Sequence, residues 1–349
     1  MRLLMVSNKI KTYPLQYRNI LDTLQELGHE VVWAADFSGF AGDRSVIPCR
    51  TEQISINTNP LNSGNRRAYR QLLELIDRYR IGGVLCSTPI GGALARLAAK
   101  KKKIRPVLYE AHGFLFFKGA PLINRTVYKW EEVLLAPYTD TLITITEEDL
   151  EAAQTLKLRG GRKPDLVHGA GVKVGVTVDI DRAAKRKEIG IPENAFMIVS
   201  AGELNRNKNT EAIVRALAVF RDENVHYAAC GVGPEENNLR KLAEELQVSG
   251  QFHLQGYRTD MAEIMAASDV FTMMSFREGM PRAVLEAMDL GLPCVGSDTR
   301  GIRDLIDEKG GFLCDPHDPA AFADAFRKLK DDPALGKRMG DHNRDKVRD

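Results

Sequence analysis

Long apolar runs are missing from this chain of 349 residues: no stretch of about 18 consecutive apolar side chains occurs, so none is expected to span a membrane. The opening MRLLMVSNKIK holds too short an apolar run for the core of a signal peptide, and charges follow at once. Cysteine is sparse, with five residues (Cys49, Cys86, Cys230, Cys294, Cys314) far apart and no C-x-x-C pair. That argues against a disulfide framework or a zinc site and fits a reducing cytoplasm. Net charge is nearly absent, 49 basic against 47 acidic residues, so no global field points to a nucleic-acid partner. Internal repeats and low-complexity tracts are absent too. Neither VSNKIK nor SAGELN, at the ends of the first strands of the two halves, supplies G-x-G-x-x-G, which sets aside a dinucleotide oxidoreductase. No D-x-D motif stands at a suitable strand end, so no metal is required.

What is present is a soluble globular composition, 44% hydrophobic and 28% charged, at a length suited to two domains. Apolar runs that read as buried strands alternate with helical patterns. RLLMVS (2–7), EVVWAA (30–35), GGVLCS (82–87), RPVLYEA (105–111) and TDTLITIT (139–146) mark the first half. The rhythm restarts with AFMIVSAGEL (195–204), then VHYAACGVG (225–233), QFHLQG (251–256), DVFTMMS (269–275) and PCVGSD (293–298). Such βαβ alternation predicts parallel sheets covered by helices. Two Rossmann-like domains are expected, residues 1–175 and 176–349, with a linker near 170–190 and a ligand cleft between them at the carboxyl ends of the strands.

The segment SFREGMPRAVLEAMDLGLPCVGSD (275–298) carries most of the chemistry. Pro281 presets φ for the first helical position, and Gly291 and Pro293 close the helix. The backbone N–H groups of Gly279 and Met280 then stand at a helix N-terminus, a natural seat for phosphate. Glu278 lies beside that seat, and Glu286 falls about five residues into the helix, roughly 7–8 Å along its axis. Carboxylates so placed can hold hydroxyls on either side of a diphosphate, a sugar on one and a ribose on the other. The plainer alternative is a polar stripe of Arg282, Glu286 and Asp289, with Arg282 and Glu286 an ordinary exposed pair.

Three strand ends add to the case. GELNRNKN (202–209) brings Asn205, Arg206 and Lys208 to the sheet edge, where cations can neutralise a diphosphate, although a solvated turn would read the same way. In CGVGPE (230–235), Gly231 and Gly233 allow close backbone approach to a ligand. In LQGYR (254–258), Gly256 and Tyr257 offer backbone or ring contact to a base.

With these motifs, residues 195–330 resemble the donor domain of the family 4 retaining glycosyltransferases, which have the GT-B fold of two Rossmann-like domains facing across a cleft. The family's E-x7-E motif falls on Glu278 and Glu286. The resemblance implies that Glu278 binds donor-sugar hydroxyls, Glu286 the ribose and Lys208 the phosphate. The family's usual Arg, five residues before that Lys, is Glu203 here, and Arg206 is the candidate to stand in. NRRAYRQLLELI (65–76), TPIGGALARLAAK (88–100), EAHGFLFFKGAP (110–121) and TDTLITITEEDLEAAQ (139–154) resemble bacterial polysaccharide-assembly members. His112 falls on the cleft histidine that approaches the donor sugar; a polar strand cap is the alternative. The first-strand glycine loop of the family is replaced by SNKIKTYPLQ (7–16), and the ending NRDKVRD is short of the family's helix that crosses back to the first domain.

The resemblance implies metal-independent hexosyl transfer with retention, moving a hexose or N-acetylhexosamine from a UDP-sugar to a polyprenyl-diphosphate-linked or oligosaccharide acceptor. No cofactor beyond the donor is expected. Its same-face attack needs cations and N–H groups to stabilise the leaving diphosphate, with Lys208, Arg206 and the Gly279–Met280 backbone as candidates. The alternatives are a non-catalytic nucleotide-sugar binding protein and a GT-B UDP-sugar 2-epimerase. Lys100, Lys101, Lys102, Lys103 and Arg105, near the apolar HGFLFFKGAPL (112–122), would suit an anionic lipid surface at about 1 kcal/mol per cation. The expected location is therefore the inner face of the plasma membrane, held peripherally; a solvated charged face is the alternative.

Overall fold

The computed structural model describes residues 1–348 apart from Thr12, Pro14, Leu61, Lys118, Gly119 and residues 168–171. The chain divides into two compact units, Met1–Gly171 and Val172–Asp349.

The first unit runs β1 (Arg2–Lys9), α1 (Leu15–Glu26), β2 (Glu30–Asp36), β3 (Arg50–Gln53), α2 (Gly64–Tyr79), β4 (Gly83–Ser87), α3 (Pro89–Lys102), β5 (Val107–Ala111), α4 (Lys129–Leu135), β6 (Thr141–Thr144), α5 (Glu147–Gln154) and β7 (Asp165–Leu166). Its sheet is parallel in the order β3-β2-β1-β4-β5-β6-β7. The inner strands are buried on both faces, so they read as continuous apolar runs. β3 and β7 are short and polar, which hides them from that signal. One core gathers Leu4, Val84, Val107 and Leu142 against Leu72 and Ala98 of the helices. Another packs Trp33 with Tyr17, Leu21 and Phe37, and the Trp33 indole donates to Ser7 at 2.9 Å. Arg96 is fully buried, held bidentately by Glu132 at 2.7 and 3.0 Å over the Tyr109 ring.

The second unit runs α6 (Arg182–Glu188), β8 (Phe196–Ala201), α7 (Thr210–Leu217), β9 (Val225–Cys230), α8 (Glu236–Glu245), β10 (Phe252–Gly256), α9 (Met261–Ala266), β11 (Val270–Met273), α10 (Arg282–Asp289), β12 (Cys294–Ser297), β13 (Gly311–Cys314), α11 (Pro319–Asp331) and α12 (Pro333–Arg348). Its sheet is parallel in the order β10-β9-β8-β11-β12-β13. Phe220, Phe322 and Phe326 are fully buried in its core, each stabilising by about 2–3 kcal/mol. α12 is bound to its own unit: Asn343 donates to the Leu292 and Gly310 carbonyls at 2.8 and 2.7 Å.

Both sheets are parallel and Rossmann-like, as the strand–helix alternation predicts. In each, strand order reverses beside the first strand, between β1 and β4 and between β8 and β11. Such a switch point opens a crevice at the carboxyl ends of the strands. All five cysteines are free, and no helix among the described residues is long and apolar enough to cross a membrane.

Candidate active site

The switch point of the second unit is where the sequence motifs meet. β8 and β11 are adjacent in the sheet, so the loops that leave them run side by side although some 70 residues separate Lys208 from Glu278. The loops are stitched together by backbone-directed bonds. The Phe276 amide donates to the Asn207 carbonyl at 2.8 Å, and the Asn207 side chain donates to the Arg277 carbonyl at 2.9 Å. Asn209 adopts left-handed φ/ψ (52°, 37°) and its amide group donates to the Pro316 carbonyl at 2.8 Å. Asn tolerates that conformation better than most residues.

Between them, Arg206–Lys208 form a single 3-10 turn capped by Asn205, whose Oδ1 accepts from the Lys208 amide at 3.0 Å. The Lys208 stem passes over Gly202, where a Cβ would stand 3.2 Å from Cε. Its ammonium then reaches Glu278 Oε1 at 2.7 Å, with only 23% and 14% of the two side chains exposed. The residues assigned separately to phosphate and to sugar are thus direct partners.

Gly231 and Gly233 serve backbone packing. A Cβ on Gly231, whose φ is +156°, would overlap the Gly202 carbonyl, and one on Gly233 would overlap the Leu204 backbone. What the missing side chains admit here is the neighbouring loop, held by the Gly202 amide on the Cys230 carbonyl and the Leu204 amide on the Val232 carbonyl, both 3.0 Å. Gly256, at φ +64°, bridges back to Gly231, so the β9 and β10 ends are joined as well. Tyr257 beside it is 79% exposed.

Helix α10 begins at Arg282, one residue later than the sequence pattern suggests. Pro281 is its N-cap: the ring presets φ at −75°, but ψ of 104° is extended. Met280 is buried, and Gly279 lies against Gly301, whose φ is +80° and whose Cβ would overlap the Gly279 carbonyl. Arg300 Nε donates to the Glu278 carbonyl at 3.4 Å. Glu286 is the fifth residue of the helix and pairs with Arg282 at 3.2 Å. Burial pushes its carboxyl above the usual range, opposed by the Arg282 charge. Asp289, the third member of that polar stripe, does not face solvent. It is buried, accepting from the Gly175 and Val176 amides at 2.8 and 3.0 Å and from Arg348 at 2.9 Å.

Arg206, the candidate replacement for the cation missing at Glu203, is 92% exposed and lies 3.6 Å from Glu235. Glu203 itself accepts from the Asn205 side chain at 2.9 Å. A groove of about 760 Å³ beside them is lined by Asn205, Arg206, Glu235, Phe276 and His317 among others, and not by Lys208, Glu278 or Glu286. In the first unit, His112 stands 3.2 Å from Glu110 Oε2 and is followed by Gly113 at φ +117°. The replaced first-strand loop is tied to the start of α3, since Asn8 Oδ1 accepts from the Gly91 amide at 2.9 Å. The basic run is partly occupied: Lys100 bonds Tyr138, Lys102 pairs with Asp77 and Arg105 with Asp140.

Residues 181–346 match the family Glycosyl transferases group 1, and residues 16–162 match Glycosyltransferase Family 4. EpsD of Bacillus subtilis (strain 168), which carries a glycosyltransferase name, is 36% identical over 330 residues, 92% of this chain and 85% of that protein. The chain belongs to glycosyltransferase family 4. A second relative is the Escherichia coli UDP-Gal:alpha-D-GlcNAc-diphosphoundecaprenol alpha-1,3-galactosyltransferase, 30% identical over 251 residues, 70% of this chain and 65% of that one. Among solved structures, HepE of Anabaena in complex with UDP superposes with a TM-score of 0.81 at 18% identity, covering 99% of this chain and 94% of its own. Sucrose-phosphate synthase from Thermosynechococcus elongatus gives 0.82, also at 18%, covering 100% and 94%. These likenesses show the GT-B fold, and the family makes this glycosyltransferase an enzyme.

Two residues at or beside α10 make contacts that the motifs do not indicate. Arg300 follows β12 just beyond the quoted stretch; its signal is a cation at another strand end. For Asp289, i, i+7 spacing places it on the polar stripe but does not say what packs on that face.

Proposed function

We propose that this glycosyltransferase moves a hexose or N-acetylhexosamine with retention from a UDP-sugar to a saccharide acceptor linked to polyprenyl diphosphate, in the assembly of a surface polysaccharide. The observation that carries this reading is the Lys208–Glu278 pair at 2.7 Å beside the mouth of α10. A cation held at that distance from a carboxylate beside a helix mouth supports a seat for the diphosphate and the sugar hydroxyls of one donor molecule. The donor C1–O bond breaks toward the diphosphate, whose growing charge is met by Lys208 and the Gly279–Met280 backbone. The acceptor oxygen bonds C1 on the same face, and its proton passes to the leaving phosphate oxygen. Glu278 holds the sugar hydroxyls and Glu286 the ribose. His112 is assigned to the donor sugar from its position in the family motif.

UDP as the nucleotide is supported by the UDP bound to HepE and by the UDP-Gal in the Escherichia coli relative's name. The same relative's diphosphoundecaprenol substrate supports the lipid-linked acceptor and, with it, a place at the inner leaflet. Charge neutralisation by Lys208 and N–H groups makes the reaction independent of added divalent metal, which EDTA tests: turnover stays the same. The deciding experiment is a UDP-sugar panel scored for slow hydrolysis and transfer, with the anomeric configuration of the product read by NMR. An α-linked product from an α-donor supports the reading. Inverted product, 2-epimerised UDP-sugar or binding without turnover would each replace it. Lys208→Ala and Glu278→Ala are expected to lower turnover at least tenfold with the circular dichroism spectrum unchanged.

A further inference from the structure

We infer that the helix spanning residues 122–135 is a membrane-docking element that lies in the plane of an anionic lipid surface. The segment winds continuously, with a π turn at Asn124–Tyr128 leading into α4. Its outer side is apolar where a soluble helix would be polar: Leu122 is 74% exposed, Ile123 67%, Trp130 66% and Leu134 66%, with Val127 and Val133 between them. Its inner side is well satisfied, with Glu132 on Arg96 and Leu135 in the core. The exposed positions from 121 to 134 include two cations, Arg125 and Lys129, and no carboxylate. No ion pair engages either cation among the described residues. Both line an open groove of about 460 Å³ with Phe116, Phe117 and Leu122.

An amphipathic helix with a wide apolar face, tryptophan within it and basic residues at its border is suited to the headgroup–acyl boundary. Fourteen residues make about 21 Å of helix, too short to cross a bilayer and long enough to lie on one. Charge selects the occupant. A second copy docked through the same face would set Arg125 and Lys129 against their own kind, whereas an anionic bilayer complements both. Glu131, next to Trp130, is pushed up to about 7 by burial and by Glu132, so little negative charge opposes docking. The element differs from the Lys100–Arg105 run, where three of five cations are occupied within the protein. The inference rests on the lipid-linked acceptor reading for its purpose, since it brings the enzyme to the surface where such an acceptor resides.

Co-sedimentation with vesicles of phosphatidylcholine alone and of phosphatidylcholine with phosphatidylglycerol tests it. The wild type is expected to bind the anionic vesicles and to leave the neutral ones largely free. Trp130→Ser with Leu134→Ser should weaken anionic binding about tenfold or more, and Arg125→Glu with Lys129→Glu should abolish the preference for phosphatidylglycerol. Vesicle-free donor hydrolysis should be unchanged in both variants. Wild-type binding by the variants, equal wild-type binding to neutral vesicles, or a wild-type dimer that the Trp130/Leu134 variant dissolves would overturn the inference. Loss of donor hydrolysis in the wild type itself would strike the catalytic reading and leave the vesicle result standing.

Discussion

Glu286, proposed to hold the ribose, sits at a cost to the fold. Burial raises its carboxyl above the ordinary range, with Arg282 opposing. A carboxyl raised in the folded state favours its protonated form there, so stability falls as pH rises through the folded value. Glu286→Gln removes that penalty and, on the proposed reading, also removes a charged partner for the ribose. The variant should melt no lower than wild type at pH 8, while KM for the donor rises about tenfold or more. A lower melting point with unchanged KM would mean that Glu286 serves the fold alone. The two glutamates were legible in the sequence because one loop and one helix fix their spacing. Their partners were less so: that Lys208 meets Glu278 depends on β8 lying next to β11, which no local pattern encodes. Glu203 and Arg206 show the same limit, since charge at a strand end does not say which way the side chain points.

Among elements, α10 is the one both ends of the unit depend on. Its mouth is set by Pro281 and by the Gly301 turn packed on Gly279, and its last turn holds Asp289. Burial raises the Asp289 carboxyl, but the Gly175 amide, Arg348 and the Val176 amide together pull it below the usual range. Removing it leaves two amides and a guanidinium without their partner. Asp289→Ala should cost about 3 kcal/mol and lower the melting temperature by several degrees, with Asp289→Asn losing less. Equal melting of Asp289→Ala and wild type would contradict this. Helix boundaries were nearly legible from Pro281 and Gly291. The glycines were legible as turns but not in purpose, because a close approach between two loops looks in sequence like an opening for a ligand.

At the scale of the whole molecule, both parallel sheets were legible from the repeated alternation of apolar runs and helical patterns, and the short polar strands β3 and β7 were not. The second sheet carries a pH dependence of its own. His226 on β9 and His253 on β10 are joined at 2.9 Å and stacked. Burial, with His226 adding to it, lowers His253 from its usual 6.5 to about 4. The unfolded chain therefore binds the proton first, and stability is lost as pH falls from about 6.5 toward 4. Between pH 7 and 5, His253→Gln should lose about 2–4 °C less of its melting temperature than wild type; parallel curves would contradict that. The most direct test of the donor site itself is calorimetric titration of UDP into wild type and Lys208→Ala. A site that grips the diphosphate through Lys208 predicts at least a tenfold weaker Kd in the variant, and an unchanged Kd would contradict it.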